Sequence, residues 1–533
     1  MTSTTEAPDP VVLGVIGGAL VAISREMATN LRRSAYSTVV REARDFSVAL
    51  IDVEGQIVAQ AEMIPMQTGG VGAAFDGLKT AGCLHDVTAD TAFLVNDPFA
   101  GGQHLQDIFL FTPIFVEERL IAYAASVAHH VDIGGAYPGL NPYATEIYQE
   151  GLRLPLAPFS ISRDWGSGFV EGIIRANVRV PDQVIGDLNA QFAASATATE
   201  RLSELCQRYG VDATLRVMGD LQDYAERRTR AGICAIPDGT YRGESVVEGA
   251  PWGFDDVPIV VTVTVQGDEI TADFTGTGDQ VQANINVPVA SVVSAVHAAI
   301  KGLLHERDIP FNEGCNRPVY VSVPYGTILN PRPPAAVRAR MSGASRAFNA
   351  VMGALADAIP ERVIACGFDT ATSLALSHQD PETGNYHVIV EILGAGWGGT
   401  ATHHGMDALD NPLSNCANVP VEALEIDNPH LRIESFALRP DSGGAGRFRG
   451  GMGVERVYVA TEDDVLFAAY ADRHVAGAPG LFGGGAGAPG AFVVRRADGS
   501  EERLAATTSA TLARGDAIIA RTGGGGGYGA DNG

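Results

Sequence analysis

Residues 91–135 read TAFLVNDPFAGGQHLQDIFLFTPIFVEERLIAYAASVAHHVDIGG. Three β-rich apolar runs stand out in this stretch: Thr91 to Val95, Ile108 to Phe115 and Leu120 to Ala128. The last two are joined across Glu117-Glu118-Arg119, and short apolar runs joined by a polar turn read as a hairpin. The first run ends on Asn96-Asp97-Pro98-Phe99-Ala100-Gly101-Gly102, which turns through two glycines and delivers Gln103-His104-Leu105-Gln106-Asp107 to the second. The third run ends on Ala128-His129-His130-Val131-Asp132-Ile133-Gly134-Gly135. In an antiparallel pair the entry of one strand lies beside the exit of its partner, so His104 and Asp107 are expected to meet His129 without any long-range assumption. Imidazoles and carboxylates gathered on adjacent strand ends are what a divalent metal with mixed nitrogen and oxygen ligands requires.

Outward from this centre, Phe46 to Val53 and Gln56 to Gln60, split by Glu54-Gly55, read as a second hairpin. Asp45 stands at its start and could add a carboxylate. Apolar residues spaced by three and four (Leu20, Ile23, Met27, Leu31) predict a helix from Val11 to about Arg44, and an amphipathic helical block runs from Pro181 to about Ala231. Beyond Pro237 the texture turns to strands: Gly239 to Glu248, then Val257 to Phe274 broken at Gln266-Gly267-Asp268. Helical segments follow at Val289 to His305 and Ser342 to Ala358, with strands again at His387 to Leu393 and from Leu431. The fold class is mixed α and β (α+β). At 533 residues the chain exceeds the roughly 250–300 that one core serves, so two domains are expected: a metal-bearing 1–235 and a β-rich 236–533. The glycine clusters of the last hundred residues (Gly443-Gly444, Gly450-Gly451, Gly483 to Gly485, Gly523 to Gly527) read as tight turns at positive φ, the final one equally well as flexible tail.

Composition removes several functions. A net charge of -26 with no run of Lys or Arg repels a phosphate backbone, so nucleic acid is not an expected partner. Lys79 and Lys301 are the only lysines, and neither follows a glycine, so no Walker A loop exists. There is no G-x-S-x-G elbow, and the glycine-rich stretches lack the strand, helix and acidic context of a dinucleotide fold. Six scattered cysteines without a C-x-x-C pair argue against a zinc knuckle or disulfide scaffold and suit a reducing compartment. The apolar stretch Val11 to Ile23 has no basic segment before it and is shorter than the ~20 residues that span a bilayer, so no signal peptide or membrane span is expected and the chain reads as cytoplasmic. A second cluster, Thr402-His403-His404-Gly405-Met406-Asp407, could be a rival metal site or line a substrate pocket but reads first as a solvent-facing loop, and His297 and His305 read as core or surface residues of a helix.

In its motifs the chain resembles the hydantoinase B/oxoprolinase family. The resemblance runs nearly end to end, through Arg44-Asp45-Phe46-Ser47, the segment from Asn96 to Asp107 and His129 to Gly135. It continues through Pro237-Asp238-Gly239-Thr240-Tyr241, Asn312-Glu313-Gly314-Cys315 and Leu438 to Gly446. The resemblance implies metal ligands at Asp45, His104, Asp107 and His129; the choice of His129 over His130 rests on it alone. It implies supporting catalytic roles for His130 and Asp132, which would orient ligands or substrate, and substrate contacts from Asn96, Asp97 and Gly102.

It further implies one divalent ion, zinc or manganese, and an A-type, ATP-binding partner subunit in an α2β2 or larger hetero-oligomer. That partner would phosphorylate a small cyclic amide, a hydantoin or lactam. A bound divalent ion lowers the pKa of water from about 15.7 towards ~7, so hydroxide would attack the activated imidate and expel phosphate. The alternatives are a ketone carboxylase subunit, in which a phosphoenol meets bicarbonate or carboxyphosphate, and a structural subunit whose ion only stabilises the fold. Two departures from the family pattern, the lack of histidines in Met63-Ile64-Pro65-Met66-Gln67 and of an Asn near Met341, bear on substrate choice.

Overall fold

The computed structural model describes residues 10–61, 63–304 and 309–531. Helix α1 (Pro10–Ser34) packs its buried stripe, Ile16, Leu20, Ile23, Met27 and Leu31, chiefly on α6 (Pro181–Tyr209). At 25 residues it is, by length and composition, long and apolar enough to cross a membrane, so the expectation of a short apolar run is corrected. The predicted helix is also shorter at its far end, since a bend separates α1 from the single turn α2 (Thr38–Arg41).

The next segment builds the sheet that matters for function: β1 (Phe46–Ile51), β2 (Ile57–Gln60), α3 (Pro65–Thr80), β3 (Thr91–Val95), β4 (Asp107–Val116), β5 (Arg119–His129) and β6 (Pro158–Ser160). Its strand order is β2-β1-β5-β4-β3-β6, and both expected hairpins are present. Both faces are buried, which the period of two makes visible in sequence. Phe46, Val48, Leu50, Ile108 and Leu110 join the large core beneath α1 and α6, while Ala49, Ile51, Phe109, Phe111, Tyr123 and Val127 face α3 through Phe75 and Leu78. Helix α3 was not expected from sequence: four glycines within it lower its intrinsic propensity. Those glycines let it sit close to its neighbours, for a Cβ at Gly69 would lie 2.2 Å from Ser294 Oγ and one at Gly70 2.5 Å from Gln103 Nε2.

Short helices α4 (Ile161–Asp164) and α5 (Phe169–Asn177) lead into the predicted helical hairpin, α6 (Pro181–Tyr209) and α7 (Val211–Ile233). A four-stranded sheet of order β10-β9-β8-β7 follows, from β7 (Gly239–Val247), β8 (Val257–Gln266), β9 (Glu269–Asp273) and β10 (Val319–Ser322). Helices α8 (Val289–Leu303) and α9 (Met341–Ala354) pack on each other, with α9 also against β7 and β8. The last part has two further sheets built from β11 (Thr372–Gln379), β12 (Tyr386–Leu393), helix α10 (Val421–Asp427), β13 (Leu431–Leu438), β14 (Val454–Ala460), β15 (Val465–Tyr470), β16 (Ala491–Arg495), β17 (Glu501–Leu504), β18 (Thr507–Leu512) and β19 (Ala517–Arg521). Their orders are β12-β11-β15-β18 and β13-β14-β19-β16-β17. The architecture is mixed α+β, and its largest apolar cluster runs from Ile16 to Tyr528.

The glycine clusters correct the sequence reading. Gly443, Gly444, Gly450, Gly451 and Gly523 to Gly527 are not among the residues with positive φ; of these clusters only Gly483 has it, at 88°. They pack backbone against backbone. A Cβ at Gly525 would lie 2.0 Å from the Trp397 carbonyl oxygen, and one at Gly450 1.8 Å from that of Gly525. The segments exchange hydrogen bonds sideways, Gly525 N to Gly451 O at 3.0 Å, Gly444 N to Gly525 O at 2.8 Å and Gly527 N to Gly485 O at 2.9 Å. Residues 522–528 are buried, so the glycine-rich end is part of the packed fold.

Candidate metal centre

The register of the six-stranded sheet places three candidate ligands in one row. Asp107 pairs directly with His129 across β4 and β5. Phe46 pairs with Ala128 across β1 and β5, and the His129 amide donates to the Asp45 carbonyl at 3.0 Å, so Asp45 lies on the other side of His129. All three continue the alternation that faces α3. Neighbours in such a row have Cα atoms about 4.5–5.5 Å apart, close enough for their side chains to share one ion. His104 comes from the loop before β4, held against α3 by a turn at Gly101 (φ 95°), where a Cβ would lie 2.0 Å from the Ala73 carbonyl oxygen. Only glycine fits there.

His104 Nε2 is 3.2 Å from both His129 Nδ1 and Asp107 Oδ1, and His129 Nδ1 is 3.5 Å from Asp107 Oδ1. Asp45 Oδ2 lies 3.7 Å from His129 Nδ1. Ligands about 2.0–2.1 Å from a tetrahedral ion are roughly 3.3 Å from one another, so the separations among His104, Asp107 and His129 are those of a coordination polyhedron, while Asp45 approaches only His129 this closely and would have to swing in to complete it. Among the described residues His104, Asp107 and His129 form a possible metal-binding triad, all buried, with Asp45 at its edge. Burial holds His129 down at about 4 and His104 well below its ordinary value, the latter helped by Arg340, so both rings are neutral and keep a lone pair for an ion. Burial opposes ionisation of Asp107, but His104 and Arg340 outweigh it and hold the carboxyl well below its usual range. Asp45 is pushed up to about 8 by burial and then by the charge of Asp107 beside it. A divalent cation is the partner that would let both carboxylates ionise at neutral pH. The donor set therefore fits the ion that the sequence resemblance implies.

Three further side chains in the site were not anticipated. Gln67, in the first turn of α3, donates from Nε2 to Asp45 Oδ1 at 2.8 Å and to Asp107 Oδ1 at 3.3 Å. Arg340 reaches Asp107 Oδ2 at 2.5 Å and His104 Nδ1 at 2.7 Å, and Arg338 Nη1 lies 3.3 Å from His129 Nε2. His104 Nδ1 also faces the Arg338 carbonyl at 3.2 Å. The two contacts at Nδ1 demand opposite tautomers. Arg340 can donate only to a bare Nδ1, with the proton on Nε2. Donation to the Arg338 carbonyl leaves Nε2 bare, which is the form that binds an ion. The sequence carried one hint of this environment: Met63 to Gln67 and Met341, the two departures from the family pattern, supply Ile64, Met66, Gln67 and Met341 to the pocket wall.

The other predicted residues lie outside the pocket wall. His130 turns to the opposite face of the sheet, where its Nε2 meets Gln191 Oε1 of α6 at 3.2 Å. Asp132 accepts from the Arg179 amide at 2.6 Å and from its Nη1 at 3.1 Å. Asn96 is fully buried and braces three loop positions, donating to the Leu105 and Leu152 carbonyls and accepting from the Leu154 amide. Asp97 caps the Phe99 amide and pairs loosely with Arg153, and Gly102 lies against the Asp97 carbonyl. His403 and His404 are exposed, and Asp407 pairs with Arg449. His297 faces a different cavity, and His305 lies outside the described residues.

The void at the triad is small, about 30 Å³, room for little more than a water molecule. A larger cavity, about 720 Å³, lies farther along α3, by Gly72, Asp76, Phe99, Glu313 and Tyr325, and none of the triad lines it. Donor chemistry, not volume, marks the smaller void as the candidate centre.

The hydantoinase B/oxoprolinase family pattern matches residues 9–531. The B-type chain of a putative D-/L-hydantoinase from Pseudomonas sp. (strain NS671) is 33% identical over 485 residues, 87% of this chain and 80% of that one. The crystal structure of the ATP-dependent caprolactamase from Pseudomonas jessenii superposes with a TM-score of 0.88 at 29% identity, covering 98% of this chain and 92% of that one. A nucleotide-free acetone carboxylase structure also gives a TM-score of 0.88, covering 98% of this chain and 76% of that one. At 19% identity that likeness is one of fold alone.

Proposed function

Because this chain belongs to the hydantoinase B/oxoprolinase family, and its relatives are named as a hydantoinase subunit and an ATP-dependent caprolactamase, we propose that it is the metal-carrying B-type subunit of an ATP-dependent cyclic amidase. In this reading it hydrolyses a hydantoin or lactam activated by phosphorylation on an A-type partner in a cytoplasmic hetero-oligomer. The carrying observation is the buried row of Asp45, His129 and Asp107 with His104 closing it. These four residues would hold a zinc or manganese ion, which when bound supplies a water of lowered pKa and polarises the substrate's carbonyl carbon–oxygen bond.

The protein's own groups do the rest. With an ion on Nε2, His104 would carry its proton on Nδ1 and donate it to the Arg338 carbonyl, which requires Arg340 to withdraw from Nδ1 and keep its bond to Asp107. Gln67 holds the two carboxylates apart at a set distance. Arg338 and Arg340, nearly fully buried, are fixed cations at the pocket wall, and would meet a phosphoryl group on the substrate once the wall, which now leaves room for little more than a water molecule, opens to admit it. Residues 1–235 then hold the ion, and 236–533 supply the guanidiniums. His130 and Asp132 act through the end of β5 that carries His129, and Asn96, Asp97 and Gly102 through the loop that carries His104.

The test is co-purification of this chain with its A-type partner, metal analysis, and ATP-dependent turnover of hydantoins, lactams and ketones with and without bicarbonate. Ring opening that needs ATP but not bicarbonate supports the proposal. Bicarbonate-dependent consumption of a ketone would replace it with the carboxylase reading.

A further inference from the structure

Three of the chain's twelve histidines gather far from the triad. His378 and His387 pair directly across the β11–β12 hairpin, so their side chains share one face. His430, just before β13, packs against both, its ring centre 5.8 Å from that of His378 and 5.7 Å from that of His387. His430 is 1% exposed, and neither of its ring nitrogens completes a hydrogen bond; His378 Nδ1 is also unmet. Buried polar atoms are normally satisfied, and a pair of unmet nitrogens on one ring calls for a ligand.

All three rings line a cavity of about 300 Å³ together with Asp380, Glu382 and Glu462. We propose that His378, His387 and His430 form a second site for a divalent first-row transition ion, with one of the rim carboxylates or water in the fourth position. Imidazoles bound through nitrogens about 2.0–2.1 Å from one ion have ring centres roughly 5–6 Å apart, the range in which His430 stands from each of the other two rings. The nitrogens themselves must turn inward about the side-chain torsions, since among the described residues only the first triad has its ligand atoms within 4.8 Å.

The two sites are distinct. Ser373 lines the first pocket, and His378 lies five residues farther along β11, ~17 Å at strand rise. The second ion would tie the tip of the β11–β12 hairpin to the start of β13 and, through the Thr461 amide bonded to the His430 carbonyl, to the β14–β15 turn. Three imidazoles with an oxygen ligand suit zinc, which serves as the probe.

The full chain is dialysed against micromolar zinc, desalted and analysed for metal beside the variant His378→Ala/His387→Ala, whose side chains are only half-buried. The wild type should retain one zinc equivalent more than the variant, whatever the total, and zinc should raise its thermal midpoint by more. Crystals of the unmodified chain grown with zinc should show anomalous scattering between the three rings, an observation independent of how the variant folds. Equal zinc content, or scattering confined to His104, Asp107 and His129, would overturn the proposal. Because the difference is read against the first site in the same protein, failure of either site is seen separately.

Discussion

Replacing Gly525 by Ala tests whether the glycine-rich end is packed structure. The new Cβ would lie 2.0 Å from the Trp397 carbonyl oxygen and 2.2 Å from its carbon, where van der Waals contact needs roughly 3.5 Å. One segment must therefore move by about 1.5 Å. Gly525 spans two sideways bonds, its amide to Gly451 at 3.0 Å and its carbonyl from Gly444 at 2.8 Å, and hydrogen bonds of this kind end near ~3.2 Å. Losing both costs ~1 kcal/mol each at the least, and forced overpacking adds ~2 kcal/mol, giving on the order of 4 kcal/mol. The control is Gly219→Ala on the exposed face of α7, where a Cβ meets nothing within 4 Å. It should stabilise by ~0.5–1 kcal/mol through helix propensity. Urea unfolding followed by circular dichroism reads both. A Gly525→Ala variant within ~0.5 kcal/mol of the wild type, the range of ordinary surface substitutions, would refute the packing argument and restore the flexible tail.

Other consequences follow from single contacts. Gln67→Ala removes the donor shared by Asp45 and Asp107 and should weaken metal retention by about 10–100-fold in competition with a chelator, an effect that unchanged affinity would deny. Glu150 accepts from the Val337 and Arg338 amides while burial pushes it up to about 7 from an ordinary 4.5. The native state then holds more protons than the unfolded one between those values, so stability falls as pH rises from about 4.5 to 7, by about 3 kcal/mol. Glu150→Gln should flatten that slope in urea titrations at pH 5 and 8, and an unchanged slope would locate it elsewhere. Arg346 and Asp472 pair at 2.7 Å with no exposure. Arg346→Met strands a buried carboxylate at a cost of about 3–5 kcal/mol, and Arg346→Met/Asp472→Asn should recover much of it; equal losses in both variants would show that the pair is not coupled.

What could be read in sequence was what depends on neighbours along the chain. The alternation through Phe109, Phe111, Val127 and His129 fixes both hairpins and faces Asp107 and His129 the same way, because strand periodicity is local. Asp45 was reachable by the same reasoning through its own hairpin. Gln67 was hidden because α3 owes its helicity to close packing that four glycines permit, which propensity counts against it. Arg338 and Arg340 lie more than two hundred residues from the ligands they touch, and no local pattern carries that distance. His129 and His130 look alike in sequence, but strand parity sends one to the triad and the other to Gln191 on α6. Glycine clusters are silent on whether they bend, flex or pack, since a missing Cβ permits all three.

The most direct test of the central claim is the metal content and ATP-dependent ring opening of the co-purified complex with His104→Ala and Asp107→Ala, beside the wild type. The account predicts that each variant loses the ion bound at the triad and, with it, hydrolysis of hydantoin or lactam, while the chain still assembles with its partner. Full activity in either variant would contradict it.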